Sequence, residues 1–557
     1  MKPSIEAAVA EAVSALYDTE VSVFLTRPEE QFGDYATNVA LQLAKPLGKN
    51  PREVADEIAD RLQESLSDQI KTIAVAGPGF LNITLTDTAL TTALSSQPEQ
   101  PLSGKTVLAE YSDPNPFKPL HAGHLYTTLV GDTIARLMET AGANVTRISY
   151  GGDVGLHVGK AMWSINKFTQ DEPAVLETVP VGERPTWLGE RYVEGNNAYE
   201  DDETSKAEII AVNKKVYELH NTNDHETPFA QIYWTCRTWS YEYFDQLYAE
   251  LQVHPFDRTI PESEIAPLGL ETVKAQQANG IYEESEGAIV FKGEDYGLHT
   301  RVFINSQGLP TYETKDVGLI LTKWQDYNFD RSIVITASEQ AQYMAVMLKS
   351  VEQFEPEPAL RTTHLTHGMV KLQGGAKMSS RKGNIVSALD ILSAAAAANL
   401  EQTGKESPET VLGAVKYAFL KNRLGGDIVY DPLESVSLEG NSGPYLQYAH
   451  ARARSILRKR DSATVPIENA DFTEGERTLV RKITEYSETV DKAISELLPH
   501  YICTYLYELA QTFNRFYEHN RVIDDEREVL RLALVETYAD TLKNGLVVLG
   551  IHAPEEM

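Results

Sequence analysis

Two histidines stand three residues apart at the start of a predicted helix, in the run His121-Ala-Gly-His124. The run follows a β-like segment, 106–111, and a proline-rich turn, and helical apolar spacing continues from it. Residues at i and i+3 share one face of a helix, and a helix N-terminus offers free N–H groups and the positive end of a dipole. Two imidazoles there can hold a polyphosphate, and Gly123 leaves room for a base or ribose. The spacing indicates a nucleotide site, with two surface histidines as the simple alternative.

A second stretch, far along the chain, is rich in cations and reads Ala376-Lys-Met-Ser-Ser-Arg-Lys-Gly-Asn384. Positive charge of this kind suits the pyrophosphate part of a triphosphate. In this order and with this separation, the two stretches together resemble the paired signatures of class I aminoacyl-tRNA synthetases. The flanking residues narrow the resemblance to the arginyl-tRNA synthetases. Ser380 stands where the usual signature has its second lysine, and many members of that family instead carry a lysine before the first histidine, where Lys118 stands here.

A carboxylate and a phenol share one face of another predicted helix, which Thr311 opens. Tyr312 and Asp316 are separated by four residues and so project from the same side. A guanidinium group, with its planar fork of N–H donors, suits such a pair, although an ordinary surface pair is the simpler interpretation from the residues alone. The matching segment of arginyl-tRNA synthetases forms the amino-acid pocket. The resemblance therefore implies that both residues bind the arginine side chain, with Glu110 as a second carboxylate.

The resemblance implies a two-step ligase reaction. The arginine carboxylate attacks the α-phosphorus of ATP to give arginyl-adenylate and pyrophosphate, and the terminal adenosine of tRNA(Arg) then takes the arginyl group. No covalent enzyme intermediate is implied, so catalysis should consist of positioning and charge stabilisation. Mg²⁺ should accompany ATP without a dedicated protein cage, and no metal-binding residues are predicted.

Three groups of site residues follow from the resemblance. The expected catalytic residues are His121, His124, Lys118 and Lys377. The expected ATP-binding residues are His121, Gly123, His124, Met369, Val370, Lys377, Met378 and Ser379. The expected L-arginine-binding residues are Glu110, Asp113, Asn115, His124, Tyr312, Asp316 and Gln340.

These residues must be positioned by a multidomain fold, because 557 residues are too many for one core. We expect an α/β and all-α chain of three domains, whose central one is a Rossmann-like parallel sheet. An N-terminal α/β additional domain, 1–98, is the part that touches the tRNA elbow in the family. The class I catalytic domain is predicted at 105–395, with insertions near 171–205 and 255–300. A helical anticodon-binding domain is predicted at 405–557.

A glycine-rich segment, 151–159, directly follows the second predicted strand of the catalytic sheet. Ligands bind at the carboxyl ends of parallel strands, and the segment resembles a Gly-Asp-x-Gly segment of the family. His157 stands where the family often has glutamine, and its role stays open.

The N-terminal domain is predicted to contain a helix that begins within 32–38 and runs to about Leu43. Two strands are predicted around the turn Gly77-Pro-Gly79. The aromatic residues Phe32, Tyr35 and Phe80 are expected to pack in the core.

The last part of the chain has the amphipathic spacing of a helical bundle. Cations and aromatics gather on two of its predicted helices, a mixture that suits stacking on single-stranded bases and contact with phosphates. The candidate tRNA-binding residues are Arg452, Arg454, Arg458, Arg515 and His519. A solvated basic helix face is the alternative.

The formal net charge of −31 argues against a nucleic-acid partner only if charge is averaged over the whole surface, because tRNA needs a local basic track. Carboxylates are concentrated in 171–203, which is predicted to be a solvated insertion. No apolar run is long enough to span a bilayer, and the first residues lack a signal-peptide core. Cys236 and Cys503 are expected to be free thiols. We expect a cytoplasmic monomer without membrane partners.

Two other functions stay open. One is an inactive tRNA-binding paralogue. The other is a ligase of the same fold that acts on another amino acid.

Overall fold

The computed structural model describes residues 1–373, 386–459, 467 and 470–557. A small antiparallel sheet with strand order β1-β3-β2 organises the N-terminal part. Its elements are α1 (Lys2–Tyr17), β1 (Tyr35–Thr37), α2 (Val39–Leu47), α3 (Pro51–Ser65), β2 (Ile70–Ala76), β3 (Phe80–Leu85) and α4 (Asp87–Ala93). Helix α3 begins where Asn50 accepts a hydrogen bond from the Arg52 amide and a proline supplies a helical φ. The predicted pair of strands around the Gly-Pro-Gly turn is confirmed.

The predicted helix within 32–38 is wrong. A 3-10 turn, Glu30–Phe32, leads into β1, and α2 begins only at Val39. Pairing with β3 decides this, since Tyr35 lies opposite Ile83 in the ladder. Local helical spacing is overridden where the chain can complete a sheet.

Only one of the three expected core aromatics of the N-terminal part is buried. Tyr35 is fully buried, whereas Phe32 and Phe80 are 48% and 40% exposed. Phe80 begins β3, whose alternate residues Leu81 and Ile83 face the core. Because side chains alternate across a strand, Phe80 must face outward.

A five-stranded parallel sheet of order β11-β10-β4-β5-β6 forms the centre of the molecule. The first half of this region contains β4 (Thr106–Glu110), α5 (Ala122–Thr140), β5 (Asn144–Gly151), α6 (Leu156–Thr169), α7 (Arg184–Asp201), α8 (Glu203–Thr222), α9 (Pro228–Glu250), β6 (Arg258–Pro261) and α10 (Glu262–Ala278). The second half contains β7 (Glu283–Ser285), β8 (Ala288–Phe291), β9 (Arg301–Ile304), α11 (Tyr312–Tyr327), β10 (Arg331–Ala337), α12 (Ala341–Glu352), α13 (Pro356–Leu360), β11 (Thr362–His367) and β12 (Val370–Leu372). The predicted Rossmann-like parallel sheet is confirmed.

The strand order of this sheet reverses at β4, because β5 lies on one side of it and β10 on the other. Ligands of open parallel sheets bind at such a reversal, outside the carboxyl ends of the strands. Gly131 allows α5 to pack closely on the end of β4, since a Cβ at that position would clash with the ring of the buried Tyr111. The sheet therefore brings the start of α5 to the expected edge.

The acidic stretch 171–203 is folded rather than a loose insertion. It contains two 3-10 turns, Pro173–Thr178 and Val181–Glu183, and helix α7. Leu188 and Gly195 are buried on α7, and Gly195 packs so closely that a Cβ would clash with the Lys160 carbonyl of α6. The carboxylates lie mostly on the outer face, which explains why composition alone indicated a solvated segment.

The C-terminal part is helical, as predicted. Its elements are α14 (Ala388–Thr403), α15 (Pro408–Leu420), β13 (Ile428–Tyr430), α16 (Pro432–Ser435), α17 (Gly443–Arg458), α18 (Glu474–Thr484), α19 (Tyr486–Glu496), α20 (His500–His519) and α21 (Glu528–Val548). Helices α18 and α19 follow each other directly and are separated only by Glu485. Strand β13 pairs in parallel with β12 and so ties the bundle to the central region.

Ion pairs join the N-terminal part to the helical bundle. Asp34 and Asp87 each lie within 2.8 Å of Arg477 on α18, and Arg27 lies 2.6 Å from Glu488 on α19. Within the described ranges, no helix is long and apolar enough to cross a membrane.

Candidate functional site

The loop between β4 and α5 adopts an unusual backbone conformation. Ser112, Asp113 and Phe117 have φ values of 73°, 49° and 70°, in the left-handed region that residues with a Cβ rarely adopt. The loop is held from α9, because Tyr248 bonds the Ser112 hydroxyl at 2.7 Å and Ser240 accepts from the Phe117 amide at 2.9 Å. Such strain, about 1–3 kcal/mol per residue, persists only where the surroundings enforce it, which is typical of functional sites.

The two signature histidines cap α5 and each other. His121 Nδ1 accepts from the amides of Gly123 and His124 at 3.0 and 3.3 Å, and His124 Nδ1 accepts from the His121 amide at 3.3 Å. The rings stack with centroids 3.8 Å apart. A neutral imidazole that accepts at Nδ1 carries its proton on Nε2. The capping therefore fixes both rings as Nε2–H donors.

Burial keeps these imidazoles neutral. It lowers the pKa of His121 to about 4, with further lowering from Lys118 and His367. Burial, followed by the charges of His121 and Lys118, holds the pKa of His124 well below its usual range. Lys118 itself has a pKa lowered by burial, partly offset by Glu262, and it lies 5.4 Å from the ring centroid of Tyr192. Two neutral donors and one lysine thus lie at the start of α5.

Three expected site residues, Lys377, Met378 and Ser379, lie outside the described residues, together with the rest of 374–385. The chain on the far side of that stretch adjoins the histidine turn. The Ala122 amide donates to the Val386 carbonyl at 2.8 Å, and the Ala388 amide donates to the Leu120 carbonyl at 3.0 Å. His121 forms a β-bridge with Ser387.

The chain on the near side of the same stretch is also fixed against α5. The buried His367 lies 2.7 Å from the Thr127 hydroxyl of α5, and its ring packs 4.4 Å from that of Tyr126. Both ends of the cation-rich stretch are therefore anchored beside the helix that carries His121 and His124.

Met369 and Val370, the expected adenine contacts, differ in the availability of their backbone groups. The Met369 amide donates to Asp427 at 2.8 Å, and its carbonyl accepts from the Ile428 amide at 2.9 Å. Val370 is paired with Ile428 in the β12–β13 ladder. Because neighbouring residues of a strand direct their N–H and C=O groups to opposite sides, those of Val370 face away from β13.

Three of the expected arginine ligands form an acidic cluster at the ends of β4 and α11. Glu110 is buried and accepts from Lys323 at 2.6 Å, and Asp113 accepts from the Tyr150 amide at 2.8 Å. Burial, and then the charge of Glu110, raises the pKa of both Asp113 and Asp316 well above the usual range. The raised pKa values mean that ionising these carboxylates carries an electrostatic cost that Lys323 does not offset. A buried cation would relieve it.

The remaining expected arginine ligands surround this cluster less tightly. Asn115 accepts from the Gly152 amide at 3.2 Å, which connects the β4–α5 loop to the end of β5. Tyr312 is 56% exposed, and the ammonium group of Lys315 lies 4.7 Å from its ring centroid. Gln340 is exposed in the 3-10 turn Ser338–Gln340, directly after β10.

The structure adds charged residues that the sequence analysis did not single out. Glu262, at the end of β6, forms a buried ion pair with Lys315 of α11. Asp153 is buried after β5 and accepts from Arg237 at 3.0 Å and from the Ser263 amide at 2.9 Å. Glu262 and Asp153 follow parallel strands directly, and that position would have identified them as candidates. No local pattern indicates their partners.

The candidate tRNA-binding residues divide into two sets. Arg452 is exposed on α17 and lies 5.0 Å from the ring centroid of Tyr517 on α20, the helix that also carries the exposed Arg515 and His519. Arg454 instead donates to Asp540 at 2.6 Å, and Arg458 donates to the Glu555 carbonyl at 2.8 Å. Arg452, Arg515 and His519 thus have exposed side chains on α17 and α20, and Arg454 and Arg458 hold α21 and the C-terminal segment.

Comparison with known proteins gives three matched regions. Residues 2–85 match the family "Arginyl tRNA synthetase N terminal domain", residues 88–434 match "tRNA synthetases class I (R), catalytic domain", and residues 446–557 match "DALR anticodon binding domain".

Similar proteins match over almost their whole length. The arginine–tRNA ligase of Bdellovibrio bacteriovorus is 32% identical, over 98% of this chain and 96% of the relative. That of Lactobacillus delbrueckii is 30% identical, over 99% of both chains. The solved arginyl-tRNA synthetase of Thermus thermophilus has a TM-score of 0.82 at 26% identity and covers all of both chains.

Proposed function

The chain belongs to the arginyl-tRNA synthetases, and from this membership we propose how its own side chains perform the reaction. It is an arginine–tRNA ligase, a class I enzyme of translation that uses ATP, arginine and tRNA. The assignment of individual residues, the Mg²⁺ requirement and the oligomeric state are our proposals.

The acidic cluster of Glu110, Asp113 and Asp316 binds the guanidinium group of arginine. The observation that carries this proposal is that burial, and then repulsion by the charge of Glu110, raises the pKa of Asp113 and Asp316 even though Lys323 is paired with Glu110. A guanidinium ion offers five N–H donors and keeps its charge on burial, so it can neutralise the cluster and bond its oxygens. A neutral side chain of similar size would leave that repulsion in place.

Asn115 and Gln340 orient the backbone groups of the bound arginine, and Tyr312 packs over its side chain. The Asn115 oxygen is already used by the Gly152 amide, so the Asn115 NH₂ group remains to donate to the substrate carboxylate. Holding that carboxylate in line with the α-phosphorus lowers the barrier through orientation rather than through a covalent intermediate.

The Nε2–H groups of His121 and His124 donate to the phosphates of ATP. Both rings are fixed by the helix cap before ATP arrives, so little reorganisation is needed when charge develops on the phosphates. Lys118 and Lys377 supply positive charge to the pyrophosphate, with Met378 and Ser379 beside it. Gly123 leaves space for the ribose, and the outward backbone groups of Val370, next to Met369, bind the adenine edge.

Mg²⁺ is held by ATP itself. The groups at the start of α5 are N–H donors and a cation, which suit phosphate oxygens and not a metal ion. When bound, Mg²⁺ supplies further neutralisation of phosphate charge.

The tRNA is bound through the exposed Arg452, Arg515 and His519, of which Arg452 lies beside the ring of Tyr517. We propose that tRNA must be bound before arginine is activated. Pyrophosphate exchange with arginine and ATP at full speed without tRNA would contradict this. The enzyme acts as a cytoplasmic monomer whose domains are 1–98, 105–395 and 405–557.

An aminoacylation assay with total tRNA and each of the twenty amino acids tests the whole proposal. Arginine alone should be attached, and the reaction should require ATP and release pyrophosphate. Attachment of another amino acid at a comparable kcat/KM would overturn the pocket assignment. Sedimentation of the purified chain tests the monomer.

A further inference from the structure

His157 is a partly buried histidine whose role in the site is not explained by the residues proposed above. It lies on the first turn of α6, directly after the Gly151–Gly155 segment that follows β5. One ring nitrogen, Nε2, lies 2.6 Å from the Gly152 carbonyl. A carbonyl can only accept, so Nε2 carries the proton.

Among the described residues, the other ring nitrogen of His157 has no hydrogen-bond partner. Nδ1 is buried from solvent and makes no hydrogen bond within the described part of the chain. Burial, followed by the charge of Lys118, lowers the pKa of His157 to about 3, so the ring is neutral at physiological pH and Nδ1 keeps a free lone pair. A buried acceptor without a donor costs about 1–3 kcal/mol, which a bound ligand can recover.

The groups around the His157 ring indicate which ligand it could bind. A Cβ placed on Gly152 would clash with Asn115 Oδ1 and would lie 3.1 Å from both Glu262 Oε1 and His157 Cε1. Asn115, Glu262 and His157 therefore meet on one side of Gly152. Glu262 uses its other oxygen, Oε2, for Lys315.

We propose that His157 Nδ1 accepts a hydrogen bond from the α-ammonium group of bound arginine. This inference rests on the proposed function. An α-ammonium has three donors and no acceptor, and the neutral imidazole and Glu262 Oε1 offer it two acceptors beside Asn115. The site thus contacts both charged groups of the amino-acid backbone, the α-ammonium and the carboxylate.

His157 also positions Asn115. Its Nε2–H holds the Gly152 carbonyl, and the Gly152 amide in turn holds Asn115 Oδ1 at 3.2 Å. Glutamine can repeat both roles, because its NH₂ group donates and its oxygen accepts. Leucine can repeat neither.

The test compares arginine with 5-guanidinopentanoate, which is arginine without its α-amino group, as a competitive inhibitor of aminoacylation in the presence of total tRNA. In His157→Leu, the KM for arginine should rise about 10- to 100-fold, which is the range for a hydrogen bond to a charged group. The inhibition constant of 5-guanidinopentanoate should rise less, by at most about 3-fold, since this analogue lacks the α-ammonium contact and loses only the positioning of Asn115. His157→Gln should stay within about 5-fold of the wild type for both compounds.

Each outcome decides the proposal. Equal losses for arginine and its analogue in His157→Leu would show a positioning role only, and no loss for either would remove His157 from the site; both results overturn the α-ammonium contact. The comparison is made within one variant, so partial unfolding, which lowers the amount of active enzyme, does not alter it. His299→Leu, an exposed histidine of the β8–β9 connection, is the matched control and should leave both constants unchanged. If the wild type failed to bind either compound, the proposed pocket, rather than the role of His157, would be wrong.

Discussion

Replacing Asp316 with asparagine removes one charge from the acidic cluster while keeping the shape of the side chain. At an effective dielectric constant of about 20, two charges about 4 Å apart attract by about 4 kcal/mol. Part of this is offset, because the variant also removes the repulsion of Asp316 by Glu110 and Glu262. We therefore expect a loss of about 2–3 kcal/mol in arginine binding, which is a rise of about 30- to 150-fold in the KM for arginine.

The same substitution should make the free enzyme more stable. The pKa of Asp316 is raised in the folded protein, above all by burial. For an acid whose pKa rises on folding, stability is greatest below the unfolded pKa and decreases as the pH rises towards the folded value. At pH 7 Asp316 therefore destabilises the folded enzyme without substrate, and Asp316→Asn should raise its Tm.

Steady-state aminoacylation and thermal unfolding without substrate check these opposite effects. The KM for ATP should change less than about 3-fold, since Asp316 belongs to the arginine end of the site. Asp326→Asn is the matched control, because it lies on the same helix but is exposed and paired with Arg258. Equal increases in both KM values, or a lower Tm with an unchanged KM for arginine, would refute the reasoning.

Three further predictions concern stability and tRNA binding. Burial alone would raise the pKa of Glu476, but hydrogen bonds, led by the one from Arg527, hold this pKa at about 2. The variant Glu476→Gln should therefore lose about 3 kcal/mol of unfolding free energy at pH 7. This loss should shrink as the pH falls from the unfolded pKa of 4.5 towards 2. The control Glu474→Gln, at an exposed position, should change the unfolding free energy little. Urea unfolding at several pH values checks both expectations. Arg452→Ala should raise the KM for tRNA about 10-fold and reduce the slope of log K against log salt concentration. Arg454→Ala should leave that slope unchanged, because Arg454 is paired with Asp540. Equal effects of the two variants would contradict the proposed surface. Because the net charge is −31, screening should raise the Tm by several degrees between about 20 mM and 0.5 M NaCl, and a flat response in calorimetry would show that self-repulsion is negligible.

The start of α5 could be predicted from the sequence because its determinants are local. His121 and His124 cap a helix with their own neighbouring amides, and the apolar spacing that follows specifies a buried helix between two strands. The parallel sheet follows from the same pattern, since strands that alternate with helices must be connected by crossovers. The structure of residues 32–43 could not be predicted correctly from local spacing. Strand β1 forms in this segment only because β3, more than forty residues later, lies beside it.

The chemistry of the site depends on distant parts of the chain. Glu110 meets Lys323, Glu262 meets Lys315, and neither pair has a signal in its own segment. Arg454 is a further example, because the sequence predicts that it binds tRNA, whereas the structure pairs it with Asp540. Burial decides whether His157 is a neutral acceptor and whether Asp316 resists ionisation, and burial is a property of the assembled molecule.

The amino-acid sequence by itself therefore determined the family, the helix caps and the residues at the carboxyl ends of the strands, because these depend on hydrogen bonds and spacings between near neighbours. Only the tertiary structure decided which charges are paired, which ring nitrogens are donors and which surface carries free cations. The physical reason is that hydrogen-bond partners and the local dielectric are supplied by side chains far apart in the chain, and these come together only when the domains pack.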